Sequence, residues 1–219
     1  MELLVATRSA GKIREIRRIL AGVSGLVVRD LDEVGIDFDP EEDGLEPYDT
    51  FEENALSKAT YFFAKSGIPT VADDSGIEVD ALDGAPGVRS KRFALDGGGD
   101  DGTLDGQALD DANNRYLIQR LSDVARQDRT ARYVCVAVLV EGDTEPLVTR
   151  GEASGVIVDE PRGSGGFGYD PFVFDPEMGK TFAEMSGEEK DGRSHRGKAF
   201  RALADELRTR MIVSQAGTS

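Results

Sequence analysis

PTVADDSGIEVDALDGAPGVRS, residues 69–90, is the stretch around which the chain is read. Val71 and Ala72 end a short apolar run, Asp73 and Asp74 follow side by side, and Ser75-Gly76 read as a turn before IEVDAL resumes strand-like alternation. A strand ending in this way sets two carboxylates at the mouth of a sheet. Hard divalent cations such as Mg²⁺ take oxygen ligands, commonly one or two carboxylates with water and substrate phosphates, so the pair is a candidate metal seat. An Asp-Asp turn is also common without any chemistry in so acidic a chain, and the pair alone does not separate the two readings.

Upstream, DTFEENALSKATYFFAKSG predicts a helix with Asp49 or Thr50 as N-cap, Phe51, Ala55, Ala59 and Phe62 on one face, and Gly67 as its stop. Glu53, Asn54 and Lys58 lie near its start and face either a cleft or water. The acidic connection before it, residues 30–49, reads as solvated loop, and LVVRD before that as a short strand. At the start of the chain ELLVAT is a strand, TRSAGK a loop, and Ile13, Ile16, Ile19 and Leu20 recur at helical spacing. A helix N-terminus offers free N–H groups and the positive end of a dipole, which is how backbones hold phosphates. The loop is not a Walker A sequence, because its first glycine is missing and Ile13 follows Lys12.

Downstream, SKRFA reads as a further strand and residues 96–111 as a mobile surface loop. That loop contains GGGDDG, a literal G-x-G-x-x-G, but its aspartates would repel a pyrophosphate. Leu109, Ala112, Tyr116, Leu117, Leu121 and Val124 outline an amphipathic helix. TARYVCVAVLVEG and EPLVTRGEASGVIV then read as neighbouring long strands joined at Gly142-Asp143. GSGGFG matches the dinucleotide fingerprint again, yet PFVF follows where a helix should begin, so no Rossmann unit is expected. Its glycines with Phe167 and Tyr169 describe either a tight turn with core aromatics or a loop able to stack a base. A loop with Lys190, His195 and Arg196 precedes a last helix that points Phe200, Leu203, Ala204, Leu207 and Met211 inward.

Length and composition bound the answer. A chain of 219 residues fits one α/β domain, or two tightly joined lobes, spanning 1–219. No apolar run approaches the roughly 18 residues of a membrane span, and MELLVATRS lacks the basic start and cleavage site of a signal peptide. The single cysteine, Cys135, sits in an apolar run as an inert core thiol, and a cytoplasmic location is expected. A net charge of −16 argues against nucleic-acid polymers and anionic membranes as partners. Arginine outnumbers lysine by 19 to 7, a balance that with the spread of acids resembles proteins of salt-loving cytoplasms. At ~1 M salt the Debye length is about 3 Å, so an acidic surface hardly repels an anionic substrate, and fold and activity are expected to need high salt.

Five motifs in order, T-x-x-x-G-K, FEENALSKA, ADDSG with DGAPGVRS, GGFGYDPFVF and EEK-x(4)-HRG, together resemble the inosine triphosphate pyrophosphatase family, the xanthosine/inosine triphosphate diphosphatases, from residue 3 to about 208. The resemblance implies an elongated mixed β-sheet flanked by helices, in two lobes with a central nucleotide cleft. It implies a Mg²⁺-dependent homodimer that hydrolyses ITP, dITP and XTP to the monophosphate and pyrophosphate. Carried onto this sequence, it assigns the phosphate loop to Thr7, Arg8, Ser9, Ala10, Gly11 and Lys12, the catalytic carboxylate to Asp74 and substrate binding beside it to Ser75. The base side falls to Phe167, Gly168, Tyr169 and Asp170 with Lys190, His195 and Arg196, the last two as donors to the six-position carbonyl. The metal ligands are Asp74 and Glu46, with Glu42 as the alternative to Glu46, and Asp73 is a candidate to share the work of Asp74. Ser9 stands where the family usually has Asn, leaving open whether water or Arg8 replaces the amide donor. The rival readings are a nucleotide-binding regulator without hydrolysis and a pyrophosphatase for other modified triphosphates.

Overall fold

The structure is a computed structural model that describes residues 1–98 and 102–216. In chain order the elements are β1 (Glu2–Val5), α1 (Ala10–Leu20), β2 (Val27–Arg29), α2 (Phe51–Ser66), β3 (Thr70–Val79), α3 (Phe93–Asp96), α4 (Gly106–Arg120), β4 (Thr130–Val140), β5 (Leu147–Ile157), β6 (Val173–Asp175), β7 (Lys180–Thr181), α5 (Gly187–Arg193) and α6 (His195–Ala216). The strand order is β2-β1-β3-β4-β5-β6-β7. β1 pairs in parallel with β2 and β3, in a register that sets Leu3 opposite Val28 and Val5 opposite Val71, whereas β5–β6 and β6–β7 are antiparallel. The sheet is therefore mixed, as expected of this α/β chain.

The chain divides into two compact units. The first comprises residues 1–74, 135–151 and 195 onward; the second comprises 75–134 and 152–194. In the first, Leu3, Val5 and Val71 pack with Ile16 and Leu20 of α1, Cys135, Ala137 and Leu139 of β4, and Phe200, Leu203, Ala204 and Leu207 of α6. Of the inward faces predicted, Ile16 and Leu20 of α1 and Phe200, Leu203, Ala204 and Leu207 of α6 are buried, with Ile13, Ile19 and Met211 half-buried. In the second, Ile77, Val79, Leu117, Leu121, Tyr133, Ile157, Tyr169, Val173 and Phe182 form a separate core. Thr50 caps α2 by accepting from Glu53 N, and Gly67 closes it in the left-handed region at φ 67°.

Several predicted boundaries are corrected. β3 does not turn at Ser75-Gly76 but runs straight through, so Asp73 and Asp74 sit in mid-strand. Gly76 is there for proximity: a Cβ would lie 2.2 Å from Gly87 O. SKRFA is not a strand, because residues 87–92 form a 3₁₀ turn leading into α3, and Asn113 holds that bend by accepting from Ala94 N at 2.8 Å and donating to Lys91 O at 3.1 Å. α4 begins at Gly106, inside the predicted loop at 96–111, of which residues 99–101 lie outside the described residues. Lys190 lies on α5, and His195 and Arg196 open α6, instead of occupying a loop.

Candidate functional site

β1 delivers the chain into Thr7 and Ser9, and the short hydroxyl of Ser9 is enough to cap α1. Ser9 N donates to Thr7 Oγ1 at 3.2 Å, and Lys12 N donates to Ser9 Oγ at 3.4 Å. Ala10, Gly11 and Lys12 thus form the first turn of α1, and Lys12 Nζ lies 3.1 Å from Asp73 Oδ2. Arg8 is engaged by the acidic connection. Its guanidinium donates to both carboxylate oxygens of Glu42, at 3.0 and 2.7 Å, and to the carbonyls of Ile36 and Asp37, each at 2.9 Å. Most acids of the acidic connection are exposed, as expected, and the segment is fastened in places: Arg8 holds Glu42, and Lys65 holds Asp39 at 2.7 Å. Those contacts occupy Glu42, whereas Glu46 keeps a side chain 40% exposed.

Successive residues of a strand send their side chains to opposite faces, and the two aspartates of β3 have different partners. Asp73, 1% exposed, receives Lys12 and two guanidinium nitrogens of Arg196, at 3.3 and 3.2 Å, on Oδ2, which also lies 3.8 Å from the Cys135 thiol. Burial pushes its carboxyl upward, but Lys12, Arg196 and Lys58 outweigh burial and hold it well below the ordinary carboxylate range. Asp74 accepts from Asn54 Nδ2 at 3.1 Å, and burial, aided by the charge of Glu46 against Lys58 and Lys12, pushes its carboxyl up to about 6. Asn54 is itself fixed by Tyr48, accepting from its N–H at 2.9 Å and donating to its carbonyl at 3.1 Å. Lys58 pairs with Glu46; burial alone would lower the Lys58 ammonium, but Glu46, Asp73 and Asp74 raise it.

Arg196 was expected at the six-position of a base. The structure buries it to 2% exposure with Nε and Nη2 on Asp73 and Nη1 on Glu15 at 2.7 Å. Its neighbour His195 is buried too, not a surface histidine. β5 makes this placement of α6 possible. A Cβ on Gly151 would lie 2.2 Å from His195 O and 2.5 Å from Ala199 N, both backbone atoms that move only if the helix does. Gly151→Ala is therefore expected to lower the melting temperature by several degrees, the scale of overpacking costs of about 1–3 kcal/mol, and to cut kcat/KM about tenfold. Unchanged values of both would show that the close approach is dispensable.

In the second unit the glycine-rich segment ends in a loop built on Asp170. That carboxylate accepts from Phe167 N at 2.9 Å, from Lys190 Nζ at 2.7 Å and from the Tyr133 hydroxyl at 3.2 Å. Gly166, at φ +74°, has no room for a side chain, since a Cβ would lie 2.0 Å from Asp170 Oδ2. Phe167 is left 36% exposed, with the Lys190 ammonium 4.8 Å from its ring centroid. Tyr169 turns the other way, into the core, its hydroxyl donating to Ser90 O at 2.7 Å. Ser75 lies half-buried on β3.

The first unit thus gathers Lys12, Asp73, Asp74 and Arg196, together with Glu46, Asn54 and Lys58. The second gathers Phe167, Asp170 and Lys190. Glu15 was not foreseen; its signal was a carboxylate beside Ile16 on the inward side of α1, three residues after Lys12. Among the described residues no cluster of three or more His, Cys, Asp or Glu side chains forms a ready-made metal cage. Mg²⁺ does not need one, since water and phosphates complete its shell. The donor chemistry fits: Glu46 and Asp74 carry hard carboxylate oxygens, and the charge of Glu46 helps to raise the Asp74 carboxyl, a repulsion that a dication between them would relieve.

Residues 3–206 match the Ham1 family. The dITP/XTP pyrophosphatase of Mycolicibacterium paratuberculosis is 47% identical over 211 residues, covering 94% of this chain and 96% of that protein. That of Thioalkalivibrio sulfidiphilus is 43% identical over 212 residues, covering 96% and 100%. Among solved structures, the Ham1 protein of Staphylococcus aureus superposes with a TM-score of 0.78 at 35% identity, covering 96% of this chain and all of that one.

Proposed function

Because the chain belongs to the Ham1 family, we propose that it hydrolyses the non-canonical purine nucleoside triphosphates ITP, dITP and XTP to the monophosphate and pyrophosphate, as a cytoplasmic, Mg²⁺-dependent homodimer. The observation that carries the reading is the contrast between neighbours on β3. Asp73 is locked among cations, while Asp74 is poised near neutrality. Fixed by Asn54 and not locked among cations as Asp73 is, Asp74 is suited to orient water and take its proton as the water attacks phosphorus. Lys12, at the start of α1, and Lys58 supply positive charge for the pyrophosphate that leaves. Asn54 holds the Asp74 carboxylate in one orientation. Bound through Glu46 and Asp74, Mg²⁺ would neutralise phosphate charge as a Lewis acid.

The base falls to the second unit's loop. Phe167 offers a partly exposed ring for stacking, worth on the order of 1–3 kcal/mol by analogy with single-stranded nucleic-acid binding. Lys190, whose ammonium lies beside the Phe167 ring, is assigned to the six-position carbonyl of inosine and xanthosine, an acceptor where adenine has a donor. Arg196 is assigned to keeping Asp73 charged and in place, in view of its three carboxylate contacts. Sites built to bond one polar group reject the analogue lacking it by up to ~10⁴, so pyrophosphate release with Mg²⁺ at high salt should give kcat/KM for dITP and XTP at least about 100 times that for ATP. Equal rates with ATP, or binding with no release, would remove the reading, and the second outcome would favour a regulator.

A further inference from the structure

Helix α4 carries Asp110 and Asn114 one turn apart on one face, and both reach the same residue of the aromatic loop. Gly168 N donates to Asp110 Oδ2 at 2.8 Å, and Asn114 Nδ2 donates to Gly168 O at 2.9 Å. With Phe167 N held by Asp170, the backbone on both sides of the Phe167 ring is tied down, and Gly168 sits at φ +62°, where glycine is at ease. The two polar side chains are kept at a cost. Asn114 is buried, and its Oδ1 finds no partner among the described residues, a penalty that a leucine of similar size would not incur. Burial pushes the Asp110 carboxyl upward, as do the charges of Asp170 and Asp111, against the Gly168 N–H that holds it down. Between them, the two side chains hold both backbone polar groups of Gly168, its N–H and its carbonyl.

We infer that Asp110 and Asn114 are positioning residues for base recognition: through Gly168 they fix the Phe167 ring, and with it the affinity and selectivity for the purine. The inference rests on the assignment of the Phe167 loop to the base. A rigid helix holding a loop at two points removes motion that a bound base would otherwise have to quench, so the effect falls on binding more than on chemistry.

The experiment measures KM and kcat for dITP and ATP in Asp110→Ala, Asn114→Leu and Phe167→Ala, singly and combined, with amide hydrogen exchange over 166–170. Each single loss on α4 is expected to raise KM for dITP about five- to tenfold with kcat changed less than about threefold, to narrow the dITP-to-ATP ratio, and to speed exchange in the loop. Asp110→Asn, which keeps an acceptor oxygen, should recover most of the lost affinity. In a Phe167→Ala background the α4 substitutions should add little, because the ring through which they act is gone. Half-buried Asp110 tolerates truncation, so its variant decides the matter if Asn114→Leu fails to fold. A raised KM in Phe167→Ala with normal KM and exchange in Asp110→Ala would overturn the positioning role alone. A normal KM in Phe167→Ala would overturn the base assignment and this inference with it. Fully additive losses, or a fall in kcat without any change in KM, would mark α4 as mere scaffold.

Discussion

Asp73→Asn is expected to destabilise the protein by about 3 kcal/mol or more, the loss found when one partner of a buried ion pair is removed. Asp73 Oδ2 is the meeting point of Lys12 and Arg196, and Arg196, buried to 2%, also pairs with Glu15. An amide there keeps the shape but not the charge, so Lys12 and Arg196 lose the carboxylate they share. The pH dependence has a definite sign. A carboxyl held below its ordinary value of about 4 contributes stability at neutral pH, and that contribution is lost as pH falls below about 4 toward the folded-state value. Urea unfolding at pH 7 should show a lowered midpoint in the variant. The gap from the parent should shrink in acid; an unfolding free energy within about 0.5 kcal/mol of the parent at pH 7 would mean that the network is not holding the first unit together.

Asp74→Asn is expected to do the reverse: turnover falls by about 10³ or more while stability stays level or rises, because the lost group is a general base and a buried carboxylate beside Glu46. The replacing amide can still accept from Asn54 Nδ2 through its oxygen, so local geometry has no reason to collapse. Pyrophosphate release and thermal melting on the same preparation separate chemistry from folding. A kcat within about tenfold of the parent would take Asp74 out of the mechanism. Together the two variants test whether adjacent residues of one strand divide structural and chemical labour.

Local chemistry was legible in the sequence where a few neighbouring residues decide it. Thr50 and Gly67 bound α2, and the inward faces of α1 and α6 follow from spacing alone, because capping and periodicity act within one or two turns. What could not be read is set by distant segments. Gly76 looked like a turn glycine, but its reason is the carbonyl of Gly87 pressed against the strand. An arginine in a loop motif does not announce which carboxylate it will meet, as Arg8 and Arg196 show. Glu42 and Glu15, 34 and 181 residues away in sequence, answer that only in three dimensions. Asn113 and Asn114 were passed over for a related cause: polar residues on a helix read as its wet face, whereas here they are buried and satisfy the backbone of other segments.

The central claim is that water attacks the α-phosphorus of a purine triphosphate under the care of Asp74, with pyrophosphate as the leaving group. It is tested most directly by hydrolysing dITP in ¹⁸O-labelled water and locating the label by ³¹P NMR. The account predicts one ¹⁸O in the nucleoside monophosphate and none in the pyrophosphate. Label in the pyrophosphate, or release of orthophosphate with a nucleoside diphosphate, would contradict it.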